Sequence, residues 1–458
     1  MSPKPLWHGR IGGKPAEILW RFTADPIDRR LLEVDVAGSL GHVAMLEEVG
    51  LVSAEEGAAL TAGLETIHTE AVAGSFSWVE SDEDVHTAVE RRLGELIGEA
   101  AGKLHTGRSR NDQIALDLRL YLRQEAQQRV IELEALVAVL ADQAERNADV
   151  IVASYTHLQQ AQAISLGHHL MAYASMALRD AGRFRDAAVR LDVSPLGAGA
   201  SAGSSLPLDT ESVAGALGFG AAFTNSMDAV GSRDLAAEYV FVCAQAMTHL
   251  SRLGEDLVLW ASEEFGWVVF PDELTTGSSA LPQKKNPDIA ELVRGRSATV
   301  IGDVTTLLAL QKGLPLTYNR DLQEDKRAVF HADDVLAGSL EALVALVTGA
   351  VFDPPLPGPW VGALDLAETL VERGVPFREA HAAVGALVAE LITQGRTLQG
   401  VTETELTAAH EMFTPADLDG IDPTASAAAR RTAGGGSPAS VRIQVAAVRA
   451  ALARTSGS

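Results

Sequence analysis

Residues 112–141 read DQIALDLRLYLRQEAQQRVIELEALVAVLA, and the placing of their apolar residues decides the fold class. Ile114, Leu118, Leu122, Ala126, Val130, Leu133, Val137 and Leu140 recur at steps of three or four, the spacing of one face of a helix. The same pattern returns in Leu235, Tyr239, Val242, Ala246, Leu250, Leu253, Leu257 and Trp260. A thirty-residue helix is roughly 45 Å long at 1.5 Å per residue, and a helix of that length needs other long helices beside it. The spacing predicts an all-α chain built round a bundle of long helices with near-coiled-coil seams. Helical patterns of this kind dominate from about residue 110 to 350, and little β-pattern competes with them.

Working outward, residues 1–106 hold shorter helical stretches, such as Gly41–Val49 and Ser53–Glu65, and read as an N-terminal helical domain. The run Asp353-Pro354-Pro355-Leu356-Pro357-Gly358-Pro359 breaks any helix. It closes a central bundle over 107–356 and opens a small helical domain over 357–458, with amphipathic helices near 364–373 and 377–394. No internal repeat of fixed period is present.

Of the 458 residues, 37 are basic and 61 acidic, a net charge of −24. Such a surface repels nucleic acid and anionic lipid, so neither is an expected partner. The longest apolar run, Ala342 to Phe352, is too short to cross a bilayer. Met1 to Arg10 carries Lys4, His8 and Arg10 and reads as no export leader. Cys243 is the single cysteine, so no internal disulfide can form, and a reducing cytoplasm is the expected location.

Three segments crowd polar residues where a helix core would want leucine. The first, Lys103-Leu104-His105-Thr106-Gly107-Arg108-Ser109-Arg110-Asn111-Asp112-Gln113, precedes the long helix. Its glycine permits a turn, its Ser, Asn and Asp suit helix caps, and the free amides of a helix start attract an anion. Its two arginines suit bidentate carboxylate recognition. A well-capped helix with solvated arginines explains the same residues equally well. The second, Tyr155-Thr156-His157-Leu158-Gln159-Gln160-Ala161-Gln162, is read as the start of another long helix. There His157 caps the helix or orients a carboxylate. The third, Gly277-Ser278-Ser279-Ala280-Leu281-Pro282-Gln283-Lys284-Lys285-Asn286-Pro287-Asp288, reads as a mobile loop. A small hydroxyl and an ammonium on such a loop suit closure over a bound anion. Taken alone, the segment fits an exposed basic turn better.

Other chemistries are excluded by pattern. Gly197-Ala198-Gly199-Ala200-Ser201-Ala202-Gly203 lacks the spacing and the preceding strand of a dinucleotide loop. No P-loop is present, His168 and His169 cannot chelate from one helical face, and no HExxH or cysteine cluster occurs. No metal and no cofactor is expected.

Together the segments resemble the argininosuccinate lyases of the fumarase/aspartase superfamily. Gly277–Pro287 matches the superfamily's mobile loop, in the form Gln283-Lys284-Lys285-Asn286-Pro287-Asp288 typical of that family. Further matches, in the family's order, are Asp82-Glu83-Asp84-Val85-His86, His105–Gln113, Thr156-His157-Leu158-Gln159, Asn225-Ser226-Met227-Asp228-Ala229 and Thr317–Lys326. Six motifs spread over most of the chain make a specific resemblance.

The resemblance implies a three-domain fold whose long helices assemble as the core of a homotetramer, each active site drawing on three chains. It implies reversible β-elimination of argininosuccinate, a small-molecule substrate, to arginine and fumarate through an aci-carboxylate carbanion. Ser278 is the implied base and His157, paired with Glu291, the proton donor or orienting group. Lys284 and Asn286, joined by Ser109, Arg110, Asn111 and Thr156, hold the carboxylate that takes up charge. Asp28, Tyr318, Gln323 and Lys326, with His86 and Arg233 nearby, meet the amine half. Two positions depart from the family pattern: Ala24 stands where a substrate-binding serine is common, and Ser232 precedes Arg233 where an acidic residue is usual. Both concern the amine half, so a lyase of the same mechanism acting on another N-substituted aspartate stays open as an alternative. An inactive, crystallin-like structural homologue is the third reading, and joint retention of Ser278, His157 and Lys284 argues against it.

Overall fold

A computed structural model describes residues 16–455. The reading of Met1 to Arg10 therefore falls outside the described residues. The chain is predominantly helical, as the spacing predicts. Its longest helices are Arg110–Arg146, Leu166–Leu191, Asp234–Trp260, Asp288–Gln311 and Asp325–Gly349. Along the first of these, Ile114, Leu118, Leu122, Ala126, Leu133, Val137 and Leu140 are all buried and Val130 is half-buried. Along Asp234–Trp260 every residue of the seam from Tyr239 to Trp260 is buried.

By compactness the chain forms two units. Among the described residues, one comprises 16–130, 182–244 and 298–335; the other comprises 131–181, 245–297 and 336–455. In the first unit, Leu32–Glu48 and Ala54–Val72 pack side by side and run longer than their sequence patterns suggested. Ser53 and Glu56 form a reciprocal capping box at the start of the second helix. Asp84 caps Val85–Ile97 by accepting from the Thr87 amide. That cap fixes where His86 leaves the first turn.

In the second unit, the proline run 353–358 carries no helix, and Ala363–Glu372 and Phe377–Thr393 follow it. They close over a core of Leu366, Leu370, Val384, Leu387, Leu391, Leu398, Leu406, Phe413 and Ile421. Among the described residues, β-structure is confined to two-stranded pieces. One of these corrects the sequence reading. Thr156–Gln159 does not start a helix: Ile151–Thr156 and Gln159–Ser165 pair antiparallel, and the helix begins only at Leu166. His157 and Leu158, at φ 55° and 57°, are consecutive left-handed residues, the backbone of a tight hairpin turn. The first strand buries Ile151, Val152 and Ala153, and Tyr155 packs on Phe265 and Trp267.

Candidate active site

In the first unit, the start of Arg110–Arg146 is built by side chains that bond back to the backbone. The Ser109 amide donates to Asp112 Oδ1 at 2.9 Å, and the Asn111 amide donates to Ser109 Oγ at 3.2 Å. Asp112 Oδ2 accepts from the amides of Gly197 (3.1 Å) and Gly199 (2.8 Å), and Asn111 donates to the Ala200 carbonyl at 3.0 Å. The glycine-rich segment is thus a brace for this helix start. A Cβ at Gly199 would lie 2.8 Å from the Gly203 carbonyl oxygen, and φ there is +61°, so glycine is required. Burial pushes the Asp112 carboxyl up, against the pull of those amides.

The two arginines of this segment part company. Arg108, expected in solvent or on an anion, turns inward, is 7% exposed and donates to Ser39 Oγ at 3.0 Å. Arg110 stays half-exposed, paired with Glu90 at 3.0 Å and donating to Gln113 at 3.1 Å. His105 also faces Glu90, at 3.2 Å. Burial would raise the Glu90 carboxyl, but the His105 hydrogen bond and the Arg110 charge hold it down. Only Arg110 is therefore free to swing toward a carboxylate, by exchanging one carboxylate partner for another.

The residues read as meeting the amine half share one neighbourhood in the same unit. Asp28 is 8% exposed and accepts from the Val85 amide at 3.3 Å. Burial lifts its carboxyl to about 6, with His86 and Lys326 pulling down and Asp84 pushing up. Arg233 Nε donates to Asp325 Oδ2 at 2.6 Å, and Lys326 Nζ donates to Asp325 Oδ1 at 2.8 Å. Two buried cations thus share one buried carboxylate, and the trio carries a net positive charge. Tyr318 lies beside Arg233, Asp325 and Asp84, and burial raises its phenol. Gln323 donates to the Thr23 carbonyl at 3.2 Å, and Arg320 donates to the same carbonyl at 2.9 Å. Arg327 pairs with Asp25 at 2.5 Å. The Thr23-Ala24-Asp25 segment is therefore held in place through Thr23 and Asp25. Ser232 accepts from Arg119 Nη2 at 2.9 Å, where a carboxylate would form an ion pair instead.

Sequence reasoning missed Asp35, Asp117 and the role of Asp325. His86 Nδ1 lies 2.8 Å from Asp35 Oδ1 and 3.5 Å from Asp117 Oδ2, all three side chains being buried. The available signal was a lone aspartate inside an apolar helical run, in Val34-Asp35-Val36 and Leu116-Asp117-Leu118. Among the described residues this is the one group of at least three His, Cys, Asp or Glu side chains with ligand atoms within metal-sharing distance, 4.8 Å. Its donor set suits a proton better than a divalent ion: Gln113 Nε2 already donates to Asp35 Oδ1 at 2.5 Å, and the Arg108 guanidinium acts on both carboxylates. Burial opposes ionisation of Asp35, yet His86, Arg108 and Gln113 bring it down to about 2. Asp117 is pushed well above the usual carboxylate range, by burial and then by the charge of Asp35.

The second unit carries the remaining candidates. His157 sits at the tip of the Ile151–Ser165 hairpin, with no hydrogen bond or ion pair among the described residues, and Leu158 beside it is 78% exposed. Gln160, two residues beyond Leu158, accepts from the Gly358 amide at 2.6 Å. The basic loop is itself a small hairpin: Thr276 pairs with Asn286 and Gly277 with Lys285. Ser278 Oγ accepts from the amides of Leu281 (3.0 Å) and Ala280 (3.3 Å). Lys284 Nζ donates to Asn286 Oδ1 at 2.6 Å, while Lys285 is tied to the Phe270 carbonyl (2.5 Å) and Asp272 (2.7 Å). So Lys285 anchors the hairpin and Lys284 faces outward with Asn286. Residues 279–285 are exposed and Ser278 is half-buried. Glu291, in the first turn of Asp288–Gln311, is exposed, and no hydrogen bond or ion pair joins it to His157 within the chain.

Comparison with known proteins gives these features a context. Residues 9–302 match a family described as Lyase, and residues 360–428 match the family Argininosuccinate lyase C-terminal. The chain is 48% identical over 455 residues to the argininosuccinate lyase of Frankia casuarinae, covering 98% of both chains. It is 47% identical over 458 residues to that of Acidothermus cellulolyticus, covering 98% of this chain and 94% of the relative. Among solved structures, an EDDS lyase in complex with formate superposes at TM-score 0.81 with 26% identity, over 96% of this chain and 91% of its own. A class II fumarase from Schistosoma mansoni, 18% identical, shares the fold at TM-score 0.74, over 90% of this chain and 93% of its own.

Proposed function

Because the chain belongs to the argininosuccinate lyase family, we propose that its two clusters of polar residues are the halves of a site that splits argininosuccinate into arginine and fumarate. The enzyme is a carbon–nitrogen lyase. The observation that carries the reading is 48% identity over 98% of the chain with a relative of that name. The retained Ser278, His157 and Lys284 support an active enzyme over an inert structural homologue.

Ser278 removes the proton β to the leaving nitrogen. A serine does this only as an alkoxide, and two backbone amides already converge on its Oγ in the geometry that stabilises negative oxygen. The electron pair left on carbon moves into the adjacent carboxylate, which becomes an aci-carboxylate. Lys284 and Asn286 on the hairpin, with Ser109, Arg110, Asn111 and Thr156, receive that charge. The arginine nitrogen then leaves as the C–N bond breaks, taking a proton from His157 or from a group that His157 and Glu291 orient. Asp28 holds the ammonium of the arginine half, and the positive wall of Arg233 and Lys326 with Tyr318 and Gln323 holds its carboxylate.

The loop at 278–285, exposed from Ser279 to Lys285, must be enclosed for such a site to be dry, and charge stabilisation is stronger once water is excluded. We therefore place the site in a homotetramer, each pocket combining the 105–113, 156–160 and 278–288 segments of three chains. Apolar side chains on the long helices support this: Ile301 and Leu308, seven residues apart on one helix face, are 50% and 58% exposed, and Phe241 is 52% exposed. The division at 106/107 and 356/357 belongs to the same proposal. Among the described residues, no helix is long and apolar enough to cross a membrane. The fully buried Cys243 suits a cytoplasmic setting.

Ala24 and Ser232 keep a second reading in view, in which another amine leaves from the same succinyl half. Fumarate release from argininosuccinate, followed beside adenylosuccinate and aspartate, tests the choice. Release from argininosuccinate with stoichiometric arginine supports the reading; a folded enzyme that cleaves only another N-substituted aspartate overturns it.

A further inference from the structure

We propose that Asp117 is a neutral carboxylic acid that donates its proton to Asp35, and that Asp117 and Asp35 together are positioning residues that aim His86 at the amine half of the substrate. The proposal rests on the reading of Asp28, His86 and Lys326 as the arginine-binding side of the site.

The argument starts from unsatisfied atoms. Asp35 Oδ2 and both oxygens of Asp117 are buried with no hydrogen-bond partner among the described residues. Asp35 and Asp117 are 1% and 0% exposed, and their nearest oxygens lie within 4.8 Å of each other and of the His86 ring. Two carboxylates so close and so dry cannot both be ionised. One proton between them resolves the conflict and satisfies an orphaned oxygen on each. Which residue carries it follows from the donors. Asp35 Oδ1 accepts from Gln113 Nε2 at 2.5 Å and from His86 Nδ1 at 2.8 Å, so it is the ionised member. Asp117 receives no hydrogen bond among the described residues and so keeps the proton, offering O–H to Asp35 Oδ2.

The consequence is directional. A carboxylate at Asp35 can only accept, so the His86 hydrogen sits on Nδ1 and the ring's Nε2 side is turned away from Asp35. The His86 charge also acts on Asp28 and Asp84, and Lys326 acts on Asp28. The Arg108 charge acts on both Asp35 and Asp117. The relay therefore crosses three helices, from Asp117 on Arg110–Arg146 through Asp35 on Leu32–Glu48 to His86 on Val85–Ile97. It holds the imidazole beside Asp28, where the ammonium of arginine would lie.

Kinetics of the reverse reaction separate this from a merely structural role, because arginine and fumarate report on different halves of the site. Asp35→Ala should raise the KM for arginine on the order of tenfold, the scale of a lost charge-assisted hydrogen bond, and leave the KM for fumarate little changed. Added to His86→Asn, it should cause no further loss, since it acts through that ring. Asp117→Ala should raise the arginine KM, and Asp117→Asn should recover most of the loss, because an amide N–H donates to Asp35 as the acid O–H does. Additive losses in the Asp35/His86 pair would overturn the relay. So would an Asp117→Asn variant as impaired as Asp117→Ala, or a stoichiometric metal ion in the purified enzyme that Asp117→Asn loses. If His86→Asn instead raised the fumarate KM alone, the reading of this pocket would fail, while the Asp35/His86 coupling would still judge the relay. Asp117→Asn changes almost no volume, so its kinetics remain decisive where an alanine variant does not fold.

Discussion

Asp28→Asn should make the unliganded enzyme more stable and a worse catalyst at the same time. The carboxyl of Asp28 is moved from its ordinary 3.8 to about 6 because it is 8% exposed, and burial outweighs the pull of His86 and Lys326. At ~1.4 kcal/mol per pH unit, keeping it ionised in the folded enzyme costs about 3 kcal/mol. A carboxyl with a raised folded pKa contributes fully to stability only below its unfolded value and loses that contribution as pH rises through the folded one. Wild type and Asp28→Asn should therefore be alike in stability near pH 4 and diverge between pH 4 and 6. Above pH 6 the variant should stay ahead by up to about 3 kcal/mol. The wild type recovers its deficit when an ammonium docks against Asp28. Its KM for arginine should accordingly fall between pH 5 and 7, whereas the variant's should be high and flat. Urea unfolding at fixed protein concentration across this pH range, with reverse-reaction kinetics beside it, makes the comparison. A variant less stable than wild type at pH 8, or a wild-type arginine KM flat across pH 5–7, would refute the reasoning.

Other outcomes follow from the same geometry. Ser278→Ala should lower kcat by orders of magnitude with little change in substrate affinity, while Lys284→Ala should damage both, since in the proposed site Lys284 meets charge present in substrate and intermediate alike; a fully active Ser278→Ala with an inactive Ser279→Ala would move the base by one residue. Asp325→Ala leaves Arg233 and Lys326 buried without their shared carboxylate and should destabilise the fold by roughly 3–5 kcal/mol, read by urea unfolding. Gly231→Ala places a Cβ 2.7 Å from the Thr317 carbonyl oxygen, against a backbone already at φ 70°. It should displace Tyr318 and raise the arginine KM with the fumarate KM spared.

The long helices were legible because an apolar stripe repeated over many turns has one physical solution, and the seams from Ile114 to Leu140 and from Tyr239 to Trp260 are buried or half-buried as that solution requires. The Ile151–Ser165 hairpin was not legible. Its strands are short, and its turn is made by His157 and Leu158, which give no glycine or asparagine signal for left-handed backbone. The polar segments announced themselves by composition, but composition could not say which arginine faces out. Arg108 and Arg110 differ only in the direction that Gly107 and the helix start impose on them. Asp35 and Asp117 were passed over for the opposite reason: each is a single carboxylate in an apolar run, a faint signal that gains meaning only once packing closes round it.

The central claim is that one lyase site is assembled from segments of different chains, and mixing two inactive variants tests it most directly. Ser278→Ala and His157→Asn subunits, each expected to be inactive on its own, are co-refolded in equal amounts, and fumarate release from argininosuccinate is measured. If the hairpin tip and the basic loop reach a site from different chains, random hybrids regain wild-type residues in about a quarter of their sites, and activity returns toward that level. Hybrids that form and stay inactive would contradict the account, placing Ser278 and His157 in a site made by one chain.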